Sequence, residues 1–496
     1  MKILKPLILL FIISSIASSC FEDRDDNGIF ASEINDFVWK GMNAFYLYKD
    51  EIPNLANDRF SSDEEYGTYL NTFSAPEELF ESLIYQRSTI DQFSWITDDY
   101  IANDQLLNGI TLTNGMNYGV SRFTPGGSDV YCIVNYVVPN KSAADEGVQR
   151  GDAFSAVDGT QLNLDNWRTL LGADVYSINL GTYDTNGTPE TSDDFIAPGS
   201  ETVTLTKTFD PNEPEDPIYA NDVLNVGGKS IGYLMYNGFN GSSADLNNVF
   251  ADFKNANIGD LVIDLRYNPG GFTSKAVLLS GLITGQFTGD IMYTEQWNSE
   301  LQAAFEDQNP DFLINRFISS EDGMSLNSLT LDKVYILTTG RSASASELVI
   351  NALRPYIQVV QIGTNTRGKY QGSFTIYDSD NFQREGANPN HTYALQPLVF
   401  KTVNINGVTD YFNGLAPDIE LRENPTFYGV LGDENEPFLA EAIANILGSG
   451  RPSIQDLDKI EFFENEFGLR NSDNGLISNK EIPENIVKRL KPVSYT

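Results

Sequence analysis

Between residues 228 and 425 the chain alternates short apolar runs with helix-compatible segments. Each run is rich in Val, Ile, Leu or Tyr and is bounded by Gly, Asn or Asp. Continuous apolar runs of this length are typical of strands that are buried on both faces, as in a parallel sheet covered by helices. The runs are KSIGYLMYNGF, DLVIDLRY, DKVYILTTG and YIQVVQIGT. We therefore predict an α/β domain with a parallel or mixed sheet over residues 228–425.

The other parts of the 496-residue chain have different patterns. Residues 31–105 carry apolar side chains at helical spacing and are predicted to form a small helical domain. Residues 109–210 contain short β-rich runs such as VYCIVNYVV and ETVTLTKTF, which indicate a β-rich module. The stretch PNEPEDP predicts a linker over residues 211–227. Residues 426–496 are expected to form one helix, around Phe438–Leu447, followed by a polar tail.

The first twenty residues read MKILKPLILLFIISSIASSC. Two lysines precede an apolar stretch that is too short to span a membrane comfortably, and small residues follow it, so residues 1–20 are predicted to be a signal peptide. The small residues before Cys20 resemble a bacterial lipoprotein cleavage box. In that interpretation the mature chain begins at a lipid-modified Cys20, and the acidic residues 21–30 form a solvated tether. The alternative is an ordinary secretory signal in which Cys20 is incidental.

Composition and charge exclude several classes of function. Acidic residues outnumber basic ones by 69 to 32, and the net charge of −37 repels nucleic-acid phosphates, so nucleic-acid binding is not expected. With one His (His391), two Cys (Cys20 and Cys132) and no HExxH motif, neither a zinc site nor a structural disulfide is expected. The acidic segment Asp184–Asp194 lacks the terminal Glu of a twelve-residue calcium loop, so a solvated turn is favoured over a calcium site. We expect no metal or other cofactor.

The segment TTGRSASASELVINAL combines the end of a strand, a Gly-Arg turn and a run of small residues that leads into a helix. It places Ser342, Ser344 and Ser346 around a helix N-terminus, where unpaired amides and the helix dipole favour developing negative charge. A hydroxyl in this position suits nucleophilic catalysis. Ser is also a common N-cap, so this segment alone leaves both interpretations open.

Two further segments could complete a site for acyl transfer. The segment GTNTRGKYQGS holds Lys369, whose amine could act as a base if burial lowered its pKa from about 10.4 toward about 7–8. The segment LVIDLRYNPGG ends a strand in a Pro-Gly-Gly turn, whose amides could bind a substrate carbonyl. Asp264 and Arg266 are expected to organise this turn by ion pairing. A Ser-His-Asp triad is not favoured, because the single His391 lies in a polar stretch without the features of a nucleophile's neighbour.

Taken together and in this order, the three segments resemble the C-terminal processing peptidases, also called tail-specific proteases, which use a Ser-Lys dyad. The resemblance covers residues from about 109 to 425. It implies a crotonase-like α/β peptidase core in which Ser344, the middle Ser of SASASE, is the nucleophile. The same resemblance implies that Lys369, twenty-five positions later, is the general base. It also implies an oxyanion hole formed by the backbone amides of Ala345 and Gly271.

One position differs from the family pattern. Many members have a Gln four residues after the base, where it orients the amine. This chain has Ser373 at that position and Gln371 two residues after Lys369. Either side chain could hydrogen-bond the amine, so the third member of the site stays open between them.

The resemblance also implies a PDZ domain before the peptidase core, in the position of the β-rich module. The stretch VVPNKSAADEGVQRGDAFSAVDGTQL is similar to the PDZ pattern SPAxxAGLxxGDxIxxIdG. Such domains bind a C-terminal carboxylate in a backbone nest and add the peptide as an extra strand. We expect the nest near Tyr118, Gly119 and Val120, at the start of the first strand of the module. The alternative is a vestigial PDZ domain that only braces the core.

The sequence thus predicts a serine endopeptidase of the bacterial cell envelope that cleaves proteins or peptides captured near their C-termini. Its partners are expected to be those C-termini and the outer membrane, to which the lipid on Cys20 would anchor it. The protein could lie on either the periplasmic or the outer face of that membrane. The main alternative is a noncatalytic lipoprotein that binds peptides or other ligands on the same scaffold. Crotonase-like acyl-CoA chemistry is disfavoured, because the envelope lacks that cofactor and the acidic surface repels it. The sequence predicts no oligomeric state.

Overall fold

The computed structural model describes residues 32–124, 126–188, 190–449 and 475–487. The predicted signal peptide (residues 1–20), the tether (residues 21–30) and the proposed lipid site at Cys20 lie outside these residues. Over the described part of the chain, no helix is both long enough and apolar enough to cross a lipid bilayer.

The N-terminal segment is mainly helical, in agreement with its apolar spacing. Its elements are α1 (Glu33–Phe45), α2 (Asp63–Leu70), α3 (Pro76–Ser82), β1 (Trp95–Thr97) and α4 (Tyr100–Leu107). Apolar side chains of α1 and α3, such as Phe45 and Leu79, join those of the 228–425 domain in one hydrophobic cluster. β1 also pairs with Ala394–Gln396 of that domain. The helical segment therefore packs as an extension of the larger core and has no separate core of its own, because its apolar helix faces find their partners there.

In its described residues, the β-rich module consists of short strands and short helices. They are β2 (Met116–Arg122), β3 (Val130–Val137), α5 (Ser142–Asp145), β4 (Ala153–Phe154), β5 (Ala156–Val157), β6 (Thr160–Gln161), α6 (Trp167–Gly172), β7 (Val175–Asn179), β8 (Thr182–Asp184), β9 (Phe195–Ala197) and β10 (Thr202–Thr206). One sheet has the order β2-β3-β4, and a second has the order β10-β7-β5-β6. Apolar side chains between Met116 and Leu205 form their own hydrophobic cluster, which includes the buried thiol of Cys132. The strands β8 and β9 form a hairpin across the segment Asp184–Asp194.

The remaining elements belong to the large α/β unit. They are β11 (Ile218–Val226), β12 (Lys229–Tyr236), α7 (Ser243–Asn255), β13 (Asp260–Asp264), β14 (Gly271–Phe272), α8 (Thr273–Ile283), β15 (Ile291–Trp297), α9 (Ser299–Gln308), β16 (Ile314–Arg316), β17 (Ser320–Glu321), β18 (Met324–Ser325), β19 (Lys333–Thr338), α10 (Ala345–Leu353), β20 (Gln358–Gly363), β21 (Gln371–Ser373), β22 (Ile376–Tyr377), β23 (Ala394–Gln396), β24 (Leu398–Asn404), β25 (Ile419–Glu420), α11 (Pro437–Leu447), β26 (Leu476–Ile477) and α12 (Glu484–Val487).

The main sheet has the strand order β11-β12-β13-β19-β20-β25. All neighbouring pairs are parallel except β11 with β12, so the prediction of a parallel or mixed sheet covered by helices is confirmed. The four apolar runs of the sequence form β12, β13, β19 and β20. Because the carboxyl ends of parallel strands meet at one edge, the loops after β13, β19 and β20 lie close together. These three loops carry the glycine turn, the serines and Lys369.

The linker predicted for residues 211–227 is wrong over its second half. Residues 218–226 form the edge strand β11, which pairs antiparallel with β12. The sequence IYANDVLNV contains several polar residues, and much of this strand is half-buried or exposed. A half-exposed edge strand lacks the continuous apolar run by which the buried strands could be recognised.

A second sheet has the order β14-β26-β21-β24-β15-β16. It joins the glycine turn, which begins β14, to β21, which follows Lys369 by two residues. The strand between them, β26, comes from the C-terminal part of the chain. The predicted helix around residues 438–447 is confirmed as α11, whereas the expected polar tail contains β26 and α12 within its described residues.

Candidate active site

The turn between β19 and α10 holds three serines in different environments. Ser342 Oγ donates to the Leu265 carbonyl at 2.7 Å, and Ser346 Oγ donates to the Asn268 carbonyl at 3.1 Å. Both flanking hydroxyls therefore attach the turn to the loop after β13. Ser344 Oγ is fully buried and has no hydrogen-bond partner within the described part of the chain. Its hydroxyl is the one that this turn leaves available for chemistry.

Ser344 also has a strained backbone. Its φ of 65° lies in the left-handed region, which costs a non-glycine residue about 1–3 kcal/mol. The residue directly precedes α10, at a helix N-terminus. Here the first amides of the helix, including that of Ala345, have no acceptor within the helix itself.

Glu347 joins the serine turn to the loop that carries Lys369. Its Oε2 accepts the backbone amides of Ser344 and Lys369, each at 2.8 Å. Its Oε1 accepts the Gly368 amide at 2.6 Å and the Thr366 hydroxyl at 2.5 Å. One carboxylate oxygen thus bridges the backbone nitrogens of Ser344 and Lys369. Burial raises the pKa of this carboxyl, and the four hydrogen bonds oppose that rise.

Lys369 is buried, with 2% of its surface exposed. Burial lowers the pKa of its amine from 10.5 to about 7, an effect that the Asp91 carboxylate opposes and the Arg367 guanidinium reinforces. The ring of Phe93 lies against the amine, with its centroid 4.9 Å from Nζ. At neutral pH a large fraction of this amine is therefore uncharged, as a general base must be.

The backbone that presents Lys369 depends on a glycine. Gly368 has a φ of 93°, and a Cβ at this position would lie 2.2 Å from the Phe412 carbonyl oxygen. No other residue could bring the chain this close while keeping the left-handed conformation. Gly368 therefore fixes the direction from which the Lys369 side chain enters the core.

The glycine turn lies directly against Ser344. A Cβ on Gly270 would sit 2.6 Å from Ser344 Cβ, 2.9 Å from its Oγ and 2.8 Å from the Gly475 carbonyl oxygen. The Gly270 amide donates to Asn268 Oδ1 at 2.9 Å, whereas the Gly271 amide donates to the Gly475 carbonyl at 2.6 Å. The amide predicted for the oxyanion hole, that of Gly271, thus already holds a peptide carbonyl beside the Ser344 hydroxyl.

Gln371 and Ser373, the two candidates for a third site residue, are both buried. Gln371 Nε2 donates to the Tyr48 hydroxyl at 3.0 Å, while its Oε1 has no partner among the residues that the structure describes. Ser373 Oγ accepts Gln396 Nε2 at 3.1 Å. Gln371 therefore has a vacant acceptor oxygen, whereas Ser373 is engaged by a neighbouring strand.

The residues predicted for the peptide nest lie where the β-rich module meets the serine turn. Tyr118, Gly119 and Val120 are in β2, an edge strand that pairs with β3. The Tyr118 carbonyl already accepts Arg341 Nη2 at 2.7 Å, and Arg341 precedes the nucleophile candidate by three positions. A cleft of about 280 Å³ runs from this junction to Gly271 and Gly475.

The ion pair predicted in the glycine turn is confirmed. Arg266 is fully buried, and its Nε donates to both Asp264 oxygens at 2.9 and 3.0 Å. Its two terminal nitrogens donate to Glu436 at 2.6 and 2.9 Å. His391 lies apart from this network: its Nε2 is 3.0 Å from Asp378 Oδ2 and its Nδ1 accepts the Tyr393 amide. Both ring nitrogens of His391 are therefore engaged by Asp378 and Tyr393, away from the Arg266 ion pairs.

Sequence reasoning missed the residues that surround Lys369 and Ser344. Glu347 had a local signal, because it is the fourth residue of an S-x-x-E pattern that begins at Ser344 and is typical of a helix capping box. Asp91 and Phe93 had none. They lie far from Lys369 in sequence and reach it only because the N-terminal segment packs on the core.

Comparison with known families identifies the family of the chain. The profile of peptidase family S41 matches residues 230–421, and the profile of the peptidase S41 N-terminal domain matches residues 33–95. Together the two account for about half of the chain. The chain belongs to peptidase family S41. The S41 N-terminal match includes Asp91 and Phe93, so both parts of the Lys369 environment lie within regions that resemble the family.

Two curated relatives match about half of this chain. The carboxy-terminal-processing protease of Bartonella bacilliformis is 27% identical over 245 residues, which cover 47% of this chain and 47% of that protein. The tail-specific protease of Haemophilus influenzae is 25% identical over 228 residues, which cover 46% of this chain and 30% of that protein. The chain thus spans about half or less of the length of these relatives.

A solved structure supports the fold over a longer range. The crystal structure of a candidate S41 protease from Bacteroides fragilis matches with a TM-score of 0.63 and 23% identity. The match covers 83% of this chain and 97% of that chain. At this level of identity the similarity shows that the two chains share a mixed α/β fold.

Proposed function

We propose that this protein is a serine endopeptidase that uses Ser344 as nucleophile and Lys369 as general base. The proposal rests on two unusual groups that belong to residues whose backbone amides bind the same oxygen of Glu347. One is a buried hydroxyl on a strained residue, without a partner among the described residues. The other is a buried amine with a pKa of about 7. A structural role would explain neither, because burying an unpaired hydroxyl or an amine costs stability.

The proposed mechanism uses these groups in sequence. Lys369 Nζ accepts the proton of Ser344 Oγ as that oxygen bonds to the carbonyl carbon of a peptide. The Gly271 and Ala345 amides bind the resulting oxyanion. The Lys369 ammonium then gives its proton to the leaving nitrogen, and the C–N bond breaks to leave an ester on Ser344. Water attacks this ester with Lys369 again as base, which releases a carboxylate and restores the hydroxyl.

The positioning residues follow from the contacts of the site. Glu347 fixes the distance between the serine turn and the lysine loop, because the backbone amides of Ser344 and Lys369 donate to the same carboxylate oxygen. The vacant Oε1 of Gln371 is our candidate for the acceptor that orients the Lys369 amine. Donors and a base that are held in place by such contacts lower the cost of reorganisation during the reaction.

The proposed substrates are unfolded proteins or peptides captured near their C-termini by a PDZ-like module. The cleft supports this proposal, because it leads from the β2 strand, next to Asn117, to the Gly271 amide. An extended peptide that enters there would reach the Gly271 amide, which lies beside the turn that contacts Ser344. Cleavage sites close to the captured C-terminus are expected to predominate.

The test is hydrolysis of denatured casein by the purified protein, followed by mass spectrometry of the products. Ser344→Ala and Lys369→Met are expected to lose at least about 100-fold in kcat/KM while keeping the fold, since each removes an essential group. Lys229→Met is the matched control, because it removes an amine that is 44% exposed and pairs with Asp260. Full activity of Lys369→Met would refute the dyad. Absence of hydrolysis in every form of the protein would favour the noncatalytic peptide-binding alternative.

We further propose that the mature protein is a bacterial envelope lipoprotein attached through Cys20. The proposal rests on the sequence MKILKPLILLFIISSIASSC and its small residues before Cys20. Metabolic labelling with an alkyne fatty acid is expected to mark the wild-type chain and not Cys20→Ser. Equal labelling of both chains, or of neither, would contradict the lipid anchor.

A further inference from the structure

The second sheet contains a slot that is one strand wide and adjoins Ser344. Its walls are β14, which begins with Gly271, and β21, which contains Ser373. The strand in the slot is β26, which pairs in parallel with both walls. Phe272 and Ser373 are both register partners of Ile477, and the Ser478 amide donates to the Ser373 carbonyl at 2.8 Å. An extended peptide bound by strand addition would need this same space.

The residue before β26 contacts one of the two amides that are predicted to form the oxyanion hole. The Gly475 carbonyl accepts the Gly271 amide at 2.6 Å. A Cβ on Gly270 would lie 2.8 Å from this carbonyl oxygen and 2.9 Å from Ser344 Oγ, so the two oxygen atoms are close to each other. A peptide carbonyl thus already accepts one of the two amides of the predicted oxyanion hole, close to the proposed nucleophile.

Apolar burial and polar contacts hold the segment in place. Leu476 is fully buried, Ile477 is 4% exposed, and Ile486 and Val487 are buried in the main hydrophobic cluster. Lys480 Nζ pairs with Glu295 Oε1 at 2.9 Å and also donates to the Phe312 carbonyl at 2.8 Å. Residues 475–487 therefore dock along the core from the proposed site outward.

We infer that residues 475–487 are an internal inhibitor that occupies the substrate strand position and keeps the peptidase latent until it is displaced. The inference rests on the proposed function, since it concerns the regulation of the same site. A segment of the same chain competes at an effective concentration on the order of millimolar, so dilute substrates would be excluded. Activity would require an event that releases the segment, such as binding of a partner or proteolytic removal.

The first test displaces the segment by placing charges in the slot. In Leu476→Asp/Ile477→Asp, two buried apolar side chains become carboxylates, which strongly disfavours docking. We expect kcat/KM for denatured casein and the rate of Ser344 labelling by a fluorophosphonate to rise at least about tenfold, because the competent fraction increases. Val430→Asp is the matched control, since the same type of change falls on a side chain that is 71% exposed. Equal rates for wild type and the double variant would overturn the inference.

A second test locks the segment and does not depend on the double variant folding. Asn479 Nδ2 donates to Ser274 Oγ at 3.1 Å, so Ser274→Cys/Asn479→Cys should be joined by a short bismaleimide. Cross-linking is expected to lower the basal hydrolysis and labelling rates at least about tenfold relative to the same variant before treatment. Each single-cysteine variant, treated with the reagent, is the control. Unchanged rates after complete cross-linking would contradict an inhibitory segment.

The two proposals fail in different ways. If no form of the protein hydrolyses casein or reacts with the fluorophosphonate, the proposed function is wrong. If the wild type is as active as the displaced variant, only the inhibitory role is wrong. The intact mass of the wild-type chain gives a further check, because cleavage between Gly475 and Leu476 would identify the segment as a substrate and overturn its role as an inhibitor.

Discussion

Replacing Arg367 by Gln should shift the pH dependence of activity toward alkaline pH. The proposed base is the neutral amine of Lys369, whose pKa is lowered to about 7 chiefly by burial and also by the positive charge of Arg367. A nearby cation disfavours the ammonium form, so its removal favours that form and raises the pKa. The fraction of active base at neutral pH must then fall.

The size of the shift follows from the distances of the two cations to the Phe93 ring. The Phe93 ring centroid lies 5.2 Å from Arg367 Cζ and 4.9 Å from Lys369 Nζ, so the charges are at most about 10 Å apart. At an effective dielectric constant of about 20, two such charges repel by about 1–2 kcal/mol, which corresponds to about one pKa unit. With a pKa near 8 in place of about 7, the neutral fraction at pH 7 falls about fivefold.

The assay is kcat/KM for peptide hydrolysis from pH 5.5 to 9.5 at constant ionic strength. It should be run in the wild type and in the Leu476→Asp/Ile477→Asp background. We expect the wild-type profile to rise through a midpoint near pH 7, and that of Arg367→Gln to rise about one unit higher to a similar plateau. Arg367→Lys keeps the charge and is the control, with an unshifted midpoint. A midpoint that stays in place or moves to lower pH in Arg367→Gln would refute the reasoning.

Three other substitutions test the site by stability and activity together. Lys369→Met should raise the free energy of unfolding by up to about 4 kcal/mol at pH 7, because the wild-type amine has a lower pKa in the folded chain than in the unfolded chain. Between about pH 7 and 10.5 the unfolded wild-type chain therefore binds more protons than the folded one, and the gain should vanish by pH 10.5 in urea titrations. A gain that persists at pH 10.5 would contradict burial of a neutral amine. Gly270→Ala should lower the free energy of unfolding by more than about 2 kcal/mol and kcat/KM at least about 100-fold, because Gly270 has a φ of 115° and the added Cβ would clash with Ser344. Wild-type turnover by this variant would show that the glycine turn lies away from the nucleophile. Glu347→Gln should cost about 2–4 kcal/mol in denaturant unfolding, since an amide group cannot accept from all four donors, and an unchanged midpoint would show that Glu347 does not hold the two loops.

The sequence predicted those parts of the molecule whose signals are local. Buried parallel strands appear as continuous apolar runs, and the loops that follow them meet at one edge of the sheet whatever their separation in sequence. The serine turn, the lysine loop and the glycine turn were assigned to one site through their joint resemblance to a peptidase family, and the sheet explains why they meet. The ion pair of Asp264 with Arg266 was also predictable, because the two residues are neighbours on one short segment.

Other parts depend on contacts between distant segments and could not be predicted. The edge strand β11 is polar enough to resemble a linker, and only its pairing with β12 makes it a strand. The Lys369 environment includes Asp91 and Phe93, whose positions follow from packing of the N-terminal helices on the core. β26 contains only two residues, too few for any periodic pattern, and its place between β14 and β21 is set by a slot in the sheet.

The most direct test of the central claim is the rate at which a fluorophosphonate labels the Ser344 hydroxyl as a function of pH. Labelling requires a deprotonated nucleophile but no peptide substrate, so it isolates the action of Lys369 on Ser344. Peptide mass spectrometry of the Leu476→Asp/Ile477→Asp variant should locate the label on Ser344, with a rate that rises through a midpoint near pH 7. Adding Lys369→Met should abolish the labelling. Labelling of Ser344 that is independent of pH and survives Lys369→Met would show that the buried amine does not activate this hydroxyl.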